Sequence, residues 1–109
     1  MLFQEIDQMI ASIGLPYAYY QFPQGTEQAA PFICFFYDLD NDFIADNTNY
    51  AKIEQLTIEL YQDFWDDETE RKVEAAMKEA GMVYTRERVV IVSEKLFETI
   101  YTTEVLING

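Results

Sequence analysis

The sequence predicts an α+β fold: an antiparallel or mixed sheet of about five strands with two helices packed on it, in the order α-β-β-β-α-β-β. Three observations carry this. Two segments repeat apolar residues at helical spacing, and each is followed by a glycine. The strand-like segments are grouped instead of alternating one-for-one with helices, which argues against βαβ units and for an α+β arrangement. The 109 residues, half of them hydrophobic, are expected to form a single domain spanning 1–109 with one core.

Each element has its own justification. Over residues 2–13, Leu2, Ile6, Met9, Ile10 and Ile13 form one apolar stripe. Gly14 stands at the C-cap position, and Pro16 forbids continuation. Tyr17 to Phe22 is aromatic-rich and reads as strand, and Pro23 to Ala30 as a polar turn or open loop. Phe32 to Leu39 is apolar on both faces. Ile33, Phe35, Tyr37 and Leu39 share one face, while Phe32, Cys34 and Phe36 share the other. Such a strand is expected to be central, covered by a helix on one side and by another layer or a subunit on the other. From about Tyr50 to Tyr61, Leu56, Ile58 and Leu60 alternate with Gln55, Thr57 and Glu59, the pattern of a half-exposed antiparallel strand.

Asp66 to Ala80 reads as the second helix, with Val73, Ala76, Met77 and Ala80 as its core stripe and Gly81 as its end. Asp67 followed by Glu70 has capping-box spacing, and the acids of this first turn complement the helix dipole. Arg71, Lys72 and Lys78 are expected to pair along the helix with Glu68, Glu74 and Glu79. Val83–Glu87 and Val89–Ser93 read as strand interrupted by Arg86, Glu87 and Arg88. Residues 94–107 suit strand or helix; their β-branched and aromatic content favours strand, after a short turn at Glu94–Lys95.

Charge narrows the partners. The chain has 20 acids, 7 bases and a net charge of −13, with no Lys or Arg before Lys52. Direct nucleic-acid binding and attraction to anionic membranes both need a basic patch and are disfavoured. A basic protein partner, or mimicry of nucleic acid, is favoured. No apolar run is long enough to span a membrane, and no secretory signal is expected. Cys34, the sole cysteine, lies in an apolar run and reads as a buried structural thiol in a reducing compartment.

The inventory for catalysis is thin. Histidine is absent, which removes the commonest general base and zinc ligand. The four glycines are isolated, so no phosphate-cradling loop is present. Neither an enzyme nor a cofactor is expected. Asp38, Asp40 and Asp42 have the 1, 3, 5 spacing of a calcium loop, but Phe43 and Asn49 stand where Gly and Glu are needed, so a solvated turn is the stronger reading. Tyr61, Phe64 and Trp65 read as core-edge packing in preference to a binding patch. What remains is an acidic connection in which Asp38, Asp40, Asn41, Asp42, Asp46, Asn47 and Tyr50 are the candidate loop or interface residues.

The order of several short motifs resembles the small neck proteins of long-tailed phages and prophages of Gram-positive bacteria: tail-completion, tail-terminator or head–tail joining proteins. The resemblance rests on the strand opening at Pro31, on Ala45-Asp46-Asn47 followed by Tyr50, and on Leu56–Tyr61 (LTIELY) running into the acid-capped helix at Glu70–Ala80. It rests also on Ser93-Glu94-Lys95-Leu96-Phe97 followed by Ile100-Tyr101. The leading helix and Leu15–Tyr19 fit too, so nearly the whole chain is covered.

The resemblance implies a structural, non-enzymatic role in the virion neck, reached from the host cytoplasm during assembly. It implies a ring of copies of the chain, typically a hexamer, that ends the tail tube or joins tail to head. The implied partners are the tail tube protein and a head-completion or connector protein. No catalytic residues carry over. The competing class is an acidic, DNA-mimicking inhibitor of a host nucleic-acid-binding enzyme, which the net charge suits.

Overall fold

The computed structural model describes residues 1–25, 27–38 and 52–107. Its elements are α1 (Phe3–Ala11), β1 (Tyr17–Tyr19), β2 (Phe32–Asp38), β3 (Lys52–Gln62), α2 (Asp67–Glu79), β4 (Tyr84–Ile91) and β5 (Leu96–Ile107). The order α-β-β-β-α-β-β and the α+β class are as expected from the sequence.

The five strands form one sheet in the order β1-β2-β3-β5-β4. β1 runs parallel to β2; the other neighbours are antiparallel, so the sheet is mixed. β3 is the middle strand and the longest contact partner of β5, pairing from Lys52↔Ile107 to Gln62↔Phe97. β2 is interior but second from the edge, not central.

Both helices pack on one face. Ile6 and Ile10 of α1 and Val73 and Met77 of α2 are fully buried against Ile33, Phe35, Tyr37, Leu56, Ile58, Leu60 and Tyr101. The alternation of β3 explains this: its even-numbered residues point to the helices and its odd-numbered residues to the opposite face. The second apolar face of β2 has a different cover. Phe22 meets Phe32 edge-on at 5.5 Å, and Tyr20 stacks on Phe36 at 5.5 Å. Aromatic side chains of the β1–β2 connection therefore supply part of the expected second layer.

Local chemistry corrects three expectations. The first strand stops at Tyr19, because Tyr20 adopts a left-handed φ of 67° and turns the chain. The cap of α2 is Asp66, not Asp67: its Oδ1 accepts from the Glu68 N–H at 3.0 Å and its Oδ2 from the Thr69 hydroxyl at 3.1 Å. Residues 84–91 form one uninterrupted strand, since Arg86 and Arg88 reach across to carboxylates of α2 that replace their water. The turn at Glu94–Lys95 is a single 3-10 turn, Val92–Glu94, closed by a left-handed Lys95.

Candidate functional site

Of the candidate loop residues, Asp38 ends β2 opposite Gln55 and is half-buried. Asp40, Asn41, Asp42, Asp46, Asn47 and Tyr50 lie outside the described residues, as does the calcium-loop spacing. Among the described residues, no group of three or more His, Cys, Asp or Glu side chains is arranged to hold a metal ion. No described helix is long and apolar enough to cross a membrane.

The helix face holds a network of paired charge. Glu70, only 2% exposed, accepts from Arg88 Nε at 3.0 Å and Nη2 at 2.6 Å, and from the Thr99 hydroxyl at 2.8 Å. Burial opposes its charge, yet the hydrogen bonds from Arg88 and Thr99 and the guanidinium charge outweigh it and hold the carboxyl below its ordinary value. Glu74 accepts from Arg86 at 3.0 Å and from the Tyr101 hydroxyl at 2.9 Å. The α2 carboxylates thus pair across to β4, where the sequence had suggested Glu74 pairing along the helix. Arg88 also lies 5.1 Å from the centre of the Trp65 ring, which in turn packs on Phe97 at 4.8 Å. Tyr61, half-buried and stacked on Phe32, is at the core edge; Trp65 packs on Phe97 but remains 36% exposed, and Phe64 is largely exposed.

The opposite face of the sheet is built differently. The strand register places Asp38, Glu59, Glu87, Glu98 and Glu104 there, and no Lys or Arg occupies a strand position on it. Both strand arginines, Arg86 and Arg88, fall on the helix face. Two of the acids meet: Glu59 lies opposite Ile100 and Glu98 opposite Tyr61, a diagonal cross-strand pair. Glu98 is 8% exposed and Glu59 half-buried. The Tyr61 hydroxyl donates to Glu59 Oε1 at 3.2 Å. Burial, together with the hydrogen bond and charge of Glu98, pushes the Glu59 carboxyl up to about 7, against the lesser opposing effect of Tyr61. Near neutral pH this carboxyl takes up a proton and bonds to its neighbour.

Cys34, paired with Glu59 in register, is buried as expected. Burial first, then the charges of Glu59 and Glu98, push its thiol up to about 11, so it is a poor nucleophile. Beside it opens a cleft of about 350 Å³ lined by Tyr20, Phe22, Phe32, Cys34, Tyr61 and Glu94, among others. A second, more apolar groove of about 510 Å³ lies on the helix side between Phe3, Asp7, Tyr19 and Tyr37.

The sequence reading missed the Glu59–Glu98 pair. Glu59 was legible as a residue of the outward face. Glu98 lies 39 positions away, and only the β3–β5 register joins them.

No protein-family model matches the chain, and no curated protein matches it. Among solved structures, the fold is similar to that of a chain in the virion of a native gene transfer agent particle. The TM-score is 0.62, and the likeness covers 93% of this chain and 84% of that one at 15% sequence identity. At that identity the likeness is one of fold.

Proposed function

We propose that this chain is a structural protein of a virion, positioned in the neck of a long-tailed phage or prophage particle. There it forms a ring that terminates the tail tube, joins tail to head, or does both. The observation that carries this reading is the fold likeness to a virion chain over 93% of the sequence. The ordered motifs described above, from Pro31 to Ile100-Tyr101, support it independently. The partners in this reading are further copies of the chain, the tail tube protein and a head-completion or connector protein. The segment from Asp38 to Tyr50 is its contact or DNA-facing loop. Its work is assembly, without turnover.

A second reading, mimicry of DNA, is favoured by the acid-only sheet face. It is weakened because Glu98 is buried and Glu59 takes up a proton near neutrality, which leaves that face short of phosphate-like charge. Deleting the gene and imaging the lysate separates the readings. Abnormally long tails mark a terminator, and normal tails apart from filled heads mark a joining protein. Intact virions in normal yield would sink the structural reading and favour the inhibitor, whose binding to a basic enzyme would fall steeply with salt.

A further inference from the structure

We propose that the cleft beside Glu59 and Glu98 is a docking site for an arginine side chain of a partner protein. This inference does not depend on the neck assignment, because the chain's own residues set the chemistry. Three features select the occupant. The walls are aromatic: Phe32 and Tyr61 stack at 4.9 Å with their planes 19° apart, and Tyr20 and Phe22 close the other side. A planar, weakly hydrated guanidinium lies well against such surfaces. The cleft adjoins the carboxyl pair through Cys34 and Tyr61, and Glu94 stands on its rim. Finally, no strand residue on this face carries positive charge, so the strands themselves supply no cation to the pair.

The groups around the pair fix the pH response. From β2 it is faced by Cys34, from β3 by Tyr61, and across β5 by Val89 and Glu87 of β4, opposite Glu98 and Ile100. Glu94 and Lys95 lie in the turn that leads into β5. With the pair protonated, a cation competes with a proton for the same carboxylates; with it ionised, the guanidinium takes the proton's place. Arginine binding is therefore stronger at pH 8 than at pH 5.5.

The probe is N-acetyl-arginine amide, titrated into the full chain and followed by backbone amide NMR shifts. The expected result is a set of shifts centred on Cys34, Glu59, Tyr61 and Glu98, with an affinity about tenfold weaker at pH 5.5 than at pH 8. Glu59→Gln should reduce the pH 8 affinity at least about fivefold, while Glu104→Gln, on the same face but farther along β5 from the cleft, leaves it unchanged. N-acetyl-lysine amide should bind more weakly than the arginine probe. Shifts scattered over all acidic surfaces, equal binding by Glu59→Gln, or equal binding of the lysine probe would overturn the proposal. If Glu59→Gln does not fold, the pH dependence of the unmodified chain decides alone, and its absence counts against the site.

Discussion

On the helix side of the sheet, Glu70 is buried and charged because Arg88 and Thr99 bond to it. On the other side, Glu59 is half-buried without a cation and takes up a proton. The same residue type, on α2 in one case and on β3 in the other, thus meets burial in two ways. The outcome follows from where the two strand arginines fall: β4 alternation sends both Arg86 and Arg88 toward α2. On the helix face, Glu70 and Glu74 find their cations within the chain. The opposite face has a carboxyl pair and an aromatic cleft that a second molecule is able to complete.

The largest expected effect tests whether the faces differ in burial as the chain stands alone. Ile58 and Ile53 lie on the same strand, Ile58 fully buried under the helices and Ile53 54% exposed on the other side. Ile58→Ala should cost about 3–4 kcal/mol in urea unfolding. Ile53→Ala should cost no more than about 0.5 kcal/mol. Equal losses would break the comparison, since they would mean that the helix-free face is covered in solution, for instance by a second copy.

Glu70→Ala comes next. It removes three charge-assisted hydrogen bonds and leaves the buried Thr99 hydroxyl without its acceptor, at a cost of about 2 kcal/mol. The sign with pH follows from the direction of its shift. A carboxyl held below its ordinary value contributes stability above its unfolded pKa, and that contribution is lost as the pH falls. The deficit of Glu70→Ala relative to the unmodified chain, measured by urea midpoints, should therefore shrink on acidification. A deficit that stays constant into acid would show that the charge contributes nothing.

Elements with local signals were legible in the sequence, and features that depend on register were not. The Leu56, Ile58, Leu60 alternation defines the inner face of β3, and Gly14 and Gly81 mark the ends of the helical segments; both have φ above +75°. The class and the element order followed from such signals. Asp66 and Asp67 are adjacent acids with overlapping capping patterns, and the choice between them depended on the backbone geometry of one residue. Arg86-Glu87-Arg88 reads as a break because three charges in a row are costly in a buried strand, but two of them point to α2, which sequence spacing does not reveal. The Glu59–Glu98 pair was out of reach for the same reason, being set by strand pairing. Of the predicted loop residues, only Asp38 falls among those described.

The smallest effect is the one most specific to the helix-free face. Glu59 has a folded-state pKa of about 7 against an ordinary value of 4.5, so between these limits the folded chain holds a proton that the unfolded chain releases. Its contribution to stability is full below about pH 4.5 and is lost as the pH rises through 7, opposite in sign to that of Glu70. Because the carboxyl is only half-buried, solvent screening reduces the effect to about 1 kcal/mol. Glu59→Gln, which keeps the shape and removes the titration, should therefore gain about 1 kcal/mol on the unmodified chain between pH 5 and pH 8. Taking the difference between the two proteins cancels the acid-side slope from Glu70, which both share. Parallel stability curves would mean that Glu59 is ionised throughout this range, and the two faces would then not differ in how they carry buried charge.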